Sequence, residues 1–462
     1  MIDLITPVFE AFPAGALTPA EAFERLGHDE PGFLLESMSA NDGAARFSYV
    51  GHHVKSVNGG NGDPLNTLQS ILDQPLTPAD GLPPFIGGAV GYIGYEVARH
   101  FEQIPTAIGS DPGLPDSTFF YVDELAAFDH KNGQLFLITL HRHSAESHET
   151  ALARIAGMKE CLFGERRTKT ETTPSHSLPA YAERPPWKAN VSRDEFGEMV
   201  DRAREYIHAG DIFQVVLSQR FSKPLYADPS AVYRELRSVN PSPYMFHLSL
   251  GDGRHVVGAS PELLVKVQDG VAETRPLAGT RWRGTDEASE DALEKELCSD
   301  EKERAEHVML VDLGRNDIGK ISVPGTVKVP RLMEVERYSH VMHLSSTVTG
   351  VLDTDRDCLD ALRSTFPAGT VSGAPKIRAM EIIAEIEPER RGVYGGALGF
   401  MGFGGDLDFA IVLRTVVISD GMIYAQSGAG IVADSDAESE YQETLNKAKA
   451  VFVAVDRAER KS

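Results

Sequence analysis

The chain has 462 residues, 42% hydrophobic and 24% charged, the proportions of an ordinary soluble protein long enough for two domains or one large two-layer unit. Lys and Arg number 45 against 68 Asp and Glu, a net charge of −23, which argues against a nucleic-acid partner and obliges any anionic substrate to find a locally positive pocket or a metal. The three cysteines (Cys161, Cys298 and Cys358) are scattered without a CxxC, the first residues carry no secretory signature, and no apolar run approaches about 18 residues, so a cytoplasmic protein with reduced thiols and no membrane partner is expected.

Residues 18–27 are predicted as a capped helix ending at Gly27. Strands follow at 33–37 and 45–51, about a turn at Asn41-Asp42-Gly43, then a helix near 65–72. The Gly-rich apolar segment 85–95 suggests close backbone packing in a sheet, and 117–140 gives two strands around Asn132-Gly133. The stretch 166–190 is rich in Pro, Ser and Thr without periodicity and is read as a linker between 1–165 and 191–457. No repeat of fixed period is present.

Beyond the linker, 192–210 is predicted helical, with Phe196, Met199, Val200, Ala203 and Ile207 on one face. The buried strand 211–221 carries Gln214, a polar residue that needs a partner. A helix at 230–239 leads through the rigid turn Asn240-Pro241-Ser242-Pro243 into a strand at Tyr244-Met245-Phe246. Further strands are expected near Val256, at 263–267 and at 271–275, the last running into a tight turn by Thr280.

The stretch 300–317 reads as one helix, N-capped by Asp300 and broken at Gly314-Arg315-Asn316-Asp317. At 100° per residue, Glu303, Glu306, Leu310 and Leu313 form one stripe, so two carboxylates point inward with two leucines. A buried carboxylate needs a cation, a metal or a proton. Glu440 and Glu443 form a second ExxE pair on a predicted C-terminal helix, and two such pairs converging would suit a hard cation such as Mg²⁺. The plainer alternatives are that Glu303 closes a capping box and that Glu443 pairs with Lys447 on a wet face away from the apolar side of Tyr441, Leu445, Ala448 and Phe452.

Residues 338–350 alternate as a strand, placing His340 and His343 on opposite faces. A helix at 358–365, a loop at 366–376 and a helix at 377–385 follow, and the loop lacks the spacing of a phosphate-binding P-loop. Residues 394–415 form two strands about a Gly-rich turn, with Arg414 ending an apolar strand where its guanidinium must find an acceptor. Ser427-Gly428-Ala429-Gly430 is read as a tight turn or as an anion nest of backbone amides.

Taken in order, the blocks GDIFQVVLSQRF, NPSPYMF, GASPELL, RPLAGTRWRG, DEKERAEHVMLVDLGRND, VMHLSSTVTG, FPAGTVSGAPK, VYGGALGF, AIVLRT, SGAGIVADS and ESEYQETLNKA resemble the chorismate-utilising enzymes, most closely their anthranilate synthase large-subunit (component I) branch. LLES at 34–37 extends the similarity into the first third, and Trp282 departs from it, standing where the family's AGTRPRG has proline beside Thr280. The resemblance implies an α+β fold of two large antiparallel sheets packed face to face with helices outside, the N-terminal third packed on the rest. It implies Mg²⁺ held by Glu306 and Glu443, with Glu303 and Glu440 binding directly or through water. The metal would hold the ring carboxylate of chorismate. Tyr394, Arg414 and the amides of Gly428, Ala429 and Gly430 would grip the enolpyruvyl carboxylate, with Lys447 also among the substrate-binding residues. Gly279 and Thr280 would line the ring, and His343 would act as acid–base residue, with Gln214 and Thr280 beside it in the catalytic set.

Family members that add water at C2 resemble one another in a lysine base where this chain has Gln214, and an amide cannot deprotonate water, which favours ammonia as nucleophile. Many aminodeoxychorismate synthases carry a nucleophilic lysine where this chain has Ala278. The implied reaction is amination at C2 and loss of pyruvate to give anthranilate, with ammonia from a separate glutamine amidotransferase subunit, hence a hetero-oligomer. An aminodeoxychorismate synthase and a non-catalytic tryptophan-binding homologue are the alternatives. The resemblance also implies a tryptophan feedback site from Leu35, Glu36, Ser37, Asn240, Pro241, Ser242, Tyr244 and Met245, with Glu36 meeting the ammonium group; otherwise these residues are a strand edge and a rigid turn.

Overall fold

Strands that alternate in burial need a second apolar layer, and this chain supplies it by packing two sheets against each other. The computed structural model describes residues 4–27, 30–38, 46–57, 62–77, 79–106, 109–164, 179–284, 286–338 and 341–461. The first sheet has 12 strands, in the order Ile5–Pro13, Gln134–Arg142, Glu124–Asp129, Phe47–His52, Gly32–Glu36, Tyr244–Gly251, Arg254–Ser260, Thr415–Ser419, Met422–Ile431, Gln214–Pro224 and Gly373–Ala374, with Lys188–Ala189 also on Gln214–Pro224. The second has 10, in the order Leu277–Trp282, Val341–Val351, Val271–Thr274, Leu263–Gln268, Leu407–Ile411, Ala397–Gly402, Gly88–Ile93, Ser117–Val122 and Lys55–Val57, with Lys328–Arg337 also on Val341–Val351. Every described ladder within them is antiparallel, so the expected α+β sandwich is the observed architecture.

The period of two along Gly32–Glu36 shows how the layers form. Phe33 and Leu35 enter the core between the sheets with Tyr92, Phe120, Phe246 and Leu398, while Leu34 faces the outer layer. That outer layer holds the helices Pro19–Leu26, His148–Phe163, Pro229–Val239 and Ala437–Lys461. Strand Gly32–Glu36 pairs with Tyr244–Gly251, Leu35 opposite Phe246, so the chain before and after the 166–190 interval shares one sheet. Of that interval, 166–178, and likewise the turn at 41–43 and His340, lie outside the described residues, whereas Lys188–Ala189 is a short strand on Phe221 and Ser222. Among the described residues no helix is long and apolar enough to cross a membrane.

Three expectations change. The helix capped by Asp300 does not break at Gly314 but runs over Glu301–Gly319. A Cβ at Gly314 would lie 3.1 Å from the Thr274 methyl, so this glycine lets the helix approach the sheet rather than ending it. Asp300 accepts from the Lys302 and Glu303 amides, and the Glu303 carboxylate turns instead to Arg281, 3.2 Å away, leaving the box unclosed. The C-terminal helix buries Thr444, Ala448, Val451 and Val455, a face rotated from the Tyr441–Phe452 side; Glu440, one turn before Thr444, therefore lies on its edge, half-buried.

A buried ion pair fastens that helix. Lys223 Nζ donates to Glu459 Oε2 at 2.7 Å, with the two side chains 4% and 0% exposed. Lys223→Met should lose roughly 3–5 kcal/mol of stability in urea unfolding, because it strands a carboxylate, while Lys223→Met/Glu459→Leu should recover much of that loss. A single variant as stable as the parent would show that the pair does not hold the helix.

Candidate active site

The helix Glu301–Gly319 brings its first two turns against the strands that carry the other candidates. Glu306 Oε1 accepts from Gln214 Nε2 at 2.9 Å, which is the partner the buried amide requires. Burial, assisted by the neighbouring charge of Glu306, pushes the Glu303 carboxyl above its ordinary value against the pull of Arg281. Burial and Glu443 do the same to Glu440. Glu443 itself is half-exposed and pairs with Lys447 at 2.7 Å, as the surface alternative has it. As the pairs stand, no three His, Cys, Asp or Glu side chains among the described residues are grouped to hold a metal ion.

His343 lies on Val341–Val351 facing the strand Leu277–Trp282, whose register shifts between Ala278 and Arg281. Gly279 sits in that irregularity at φ 64°, and a Cβ there would meet Leu297 at 2.8 Å and Glu303 at 3.1 Å, so only glycine fits. Its carbonyl oxygen is 2.8 Å from His343 Nδ1, with Thr280 Oγ1 at 3.1 Å. A carbonyl can only accept, so Nδ1 carries the proton and Nε2 keeps the lone pair. Burial drives the His343 pKa down to about 4, leaving a neutral imidazole at neutral pH. Trp282 is 72% exposed on the edge strand opposite Val341.

Arg414 is held at φ 47°, its carbonyl accepting from the Ala259 amide at 3.2 Å. Its guanidinium makes no hydrogen bond or ion pair among the described residues, and burial lowers its pKa. Tyr394 is buried with its hydroxyl against Gly428, where a Cβ would lie 2.8 Å from it. The Gly-Ala-Gly run is neither a turn nor a nest: it is extended strand, Gly428 opposite Ser218 and Gly430 opposite Val216. Ser218 and Val216 donate their amides to Glu387 Oε1 (2.7 Å) and to the Ser372 carbonyl (2.9 Å), away from their cross-strand partners. In an antiparallel ladder that makes these non-hydrogen-bonded pairs, so Gly428 and Gly430 direct their amides to the opposite edge, where pairing with Thr415–Ser419 ends at Ala425. Ala429, opposite Leu217, then points its amide into the ladder and drops out of the expected anion grip. Lys447 Nζ donates to the Gly428 carbonyl at 3.1 Å.

One residue was not singled out from sequence. Glu262, 6% exposed, has its carboxyl pushed up to about 8 by burial, partly offset by the nearby Thr370 hydroxyl, the Leu277 amide, Lys447 and Arg414. The cleft thus pairs a protonated carboxyl with a neutral imidazole, both in the field of Arg414 and Lys447. The only signal available in the sequence was a carboxylate beside Pro261 at the start of an apolar strand.

The sequence matches the chorismate binding enzyme family over residues 34–453. The chain belongs to that family. Anthranilate synthase component 1 of Streptomyces coelicolor is 56% identical, the match covering 98% of this chain and 90% of the relative. The protein of the same name from Thermus thermophilus is 47% identical over 99% of each. The crystal structure of anthranilate synthase component I from Streptococcus pneumoniae superposes with a TM-score of 0.80 at 39% identity, covering 96% of this chain and 99% of that one. The menaquinone-specific isochorismate synthase of Escherichia coli shares the fold at a TM-score of 0.76 and 20% identity, over 98% of this chain and 94% of that one.

This chorismate binding enzyme has a second concavity, of about 430 Å³, between its sheets. Leu35, Glu36, Ser37, Tyr244 and Met245 line it; Asn240, Pro241 and Ser242 do not, Asn240 and Ser242 being hydrogen-bonded to each other in the turn before it. The Glu36 carboxylate is bidentate to Arg237 at 2.8 and 2.9 Å and accepts from Tyr233, so it is not available to an ammonium group. Asp408 on the opposite sheet lines the cavity with a buried Oδ1 that has no hydrogen-bond partner among the described residues, its carboxyl raised to about 6 by burial and drawn back by Lys266 and the Tyr244 hydroxyl.

The buried Glu262 carboxyl gives a test independent of turnover. Its folded pKa of about 8 lies above the ordinary 4.5, so the stability tied to its proton is full below pH 4.5 and is lost as pH rises through 8. Glu262→Gln should flatten that part of the stability–pH curve in chemical unfolding; parallel curves for parent and variant between those limits would show that Glu262 is ionised in the cleft.

Proposed function

We propose that the chain is the synthase subunit of an anthranilate synthase, aminating chorismate at C2 with ammonia and releasing pyruvate. The observation that carries this reading is the 56% identity, across 98% of the chain, to a relative named anthranilate synthase component 1. Gln214 and Ala278 support it. Neither can serve as a lysine base for water or as a lysine nucleophile, and Gln214 is moreover bound to Glu306. The word component in the relatives' names supports a second subunit, and a glutamine amidotransferase is the chemistry that would supply ammonia. The cytoplasm is the proposed compartment.

The cleft accounts for the substrate's two carboxylates in a protein of net charge −23. Arg414, the Tyr394 hydroxyl and the amides of Gly428 and Gly430 would together take one anion, the guanidinium having no acceptor among the described residues. The two ExxE pairs suit a hard cation by their donor chemistry, and burial raises the Glu303 and Glu440 carboxyls, the neighbouring charges of Glu306 and Glu443 adding to a strain that a cation would relieve. Glu303, Glu306, Glu440 and Glu443 would hold Mg²⁺, which when bound draws charge from the ring carboxylate. Glu262, protonated, is placed to give its proton to the departing C4 hydroxyl as ammonia attacks C2. His343, with Nδ1–H anchored on Gly279, keeps Nε2 free to take the C2 proton during loss of pyruvate. The same burial raises one pKa and lowers the other, which separates the acid from the base.

The inter-sheet cavity is the proposed tryptophan site. Leu35, Phe47, Phe246 and Phe400 offer apolar walls for an indole, and Asp408 rather than Glu36 offers an acceptor for its ammonium group.

The purified chain with chorismate, Mg²⁺ and ammonium at alkaline pH should release fluorescent anthranilate, and glutamine should not replace ammonium. Aminodeoxychorismate as the product, or glutamine-driven turnover by this chain alone, would overturn the assignment. Glu306→Gln should lower kcat at least about a hundredfold with the fold intact; a near-parental rate at ordinary Mg²⁺ refutes the metal role. Tryptophan should inhibit competitively against chorismate, and Ser37→Phe should relieve inhibition while sparing activity. Equal sensitivity of parent and Ser37→Phe in a tryptophan titration would remove the effector from this cavity.

A further inference from the structure

We infer that Arg391, which lies outside the anion-binding cleft, is the positioning residue that sets the Tyr394 hydroxyl against Gly428. The inference rests on the functional reading above, because it concerns how the same cleft holds its substrate.

Arg391 is 2% exposed, and its guanidinium donates four hydrogen bonds. Nε donates to Glu387 Oε2 at 2.8 Å and Nη2 to Glu387 Oε1 at 2.6 Å, a bidentate pair within one turn of chain. Nη2 also donates to the Val216 carbonyl at 2.7 Å, and Nη1 to the Val371 carbonyl at 2.6 Å. These carbonyls belong to the strand that begins at Gln214 and to the turn Gly369–Val371 beneath the helix Glu301–Gly319. The flat faces of the guanidinium carry the rest of the argument. Its carbon lies 4.5 Å from the centroid of Tyr95 and 5.7 Å from that of Tyr394, so the cation packs against both rings. Four hydrogen bonds fix the plane of the guanidinium, and the plane fixes the ring of Tyr394.

No hydrogen bond to the Tyr394 hydroxyl is present among the described residues to hold the polar end of the buried ring. Its hydroxyl meets Gly428, where the missing Cβ leaves room for it, at the edge where the Gly428 and Gly430 amides emerge. A displacement of the ring therefore moves the hydroxyl relative to the amides with which it shares an anion. Lysine at 391 could keep a single ion pair with Glu387, but it has no plane to stack and cannot reach three acceptors at once in this geometry.

The test is a double-mutant cycle on steady-state kinetics with ammonium as nitrogen donor. Tyr394→Phe removes the hydroxyl and should raise KM for chorismate about tenfold. Arg391→Lys should raise KM by a similar factor, with kcat falling by less. In Arg391→Lys/Tyr394→Phe the KM should stay within about threefold of Tyr394→Phe alone, because the hydroxyl that Arg391 positions is already gone. Multiplying effects in the double variant, or a parental KM in folded Arg391→Lys, overturn the inference; a general structural role gives the multiplying result. Should Arg391→Lys fail to fold by circular dichroism, Tyr95→Leu takes its place in the cycle, removing one stacking face and leaving all four hydrogen bonds, with the same outcomes on either side. A parent that forms no product from chorismate overturns the functional reading and the inference together, whereas an active parent with additive variants overturns the inference alone.

Discussion

Strand Thr415–Ser419 stops pairing with Met422–Ile431 at Ala425, and the backbone beyond that point has a hydrogen-bonding edge with no neighbour. An interior edge of this kind is unfavourable unless something accepts from its amides. The sheet makes room for that acceptor with glycines at 428 and 430, where any Cβ would strike Tyr394 or Gln214. The same interruption lets the chain turn at Arg414 through a left-handed residue and bring a guanidinium to the edge. The proposed anion site would thus be the consequence of one ladder ending early.

Around that edge, burial does the electrostatic work that the sequence charge opposes. A chain of net charge −23 repels a dicarboxylate at long range, so the local arrangement must reverse the sign. It does so in two ways. Arg414 and Lys447 bring positive charge into the cleft, and desolvation keeps Glu262 protonated and so removes a negative one. Desolvation also neutralises His343, which would otherwise add a positive charge and lose its lone pair. The carboxylate pairs are the exception: their oxygens are shared among Arg281, Gln214 and Lys447, partners that are cationic or neutral donors.

Much of this was legible in the sequence, and the failures have local causes. The stripe of Glu303, Glu306 and Leu310 followed from helical periodicity and faces inward as expected. Gly314 was misleading because glycine serves close packing as well as chain termination, and only the neighbouring strand distinguishes the two. The Gly-Ala-Gly run was misleading in the same way, since small residues suit a nest and also an interior strand edge. The helices His148–Phe163 and Glu287–Ser299 were passed over, both weakly amphipathic segments with few buried positions. Glu262 lies within the resembling block GASPELL but was not singled out, because what sets it apart is burial imposed by segments far away in the chain, Thr370 and Arg414 among them. Glu36 shows the converse: its residue type suited an ammonium partner, but the alternation of the strand aims it at Arg237 and Tyr233 on the outer layer.

The two concavities of the molecule are not independent, and the strand Val341–Val351 explains why. Glu336 on its neighbouring strand lies opposite His343, and the Tyr338 ring stands edge-on to the imidazole at 5.5 Å between centroids. Glu336 and Tyr338, hydrogen-bonded to each other at 2.8 Å, also form part of the wall of the inter-sheet cavity, as do Pro261 and Leu277, the residues next to Glu262 and Ala278. A ligand there touches the backs of the segments whose fronts carry the acid, the base and the strand irregularity at Gly279. Contact alone transmits nothing: a ligand shifts an equilibrium only by the difference in its affinity for the two states. What the geometry supplies is adjacency: Glu336 and Tyr338 line the cavity and also face His343, and Pro261 precedes Glu262. If the cavity takes an effector as proposed, no long pathway between distant sites is required.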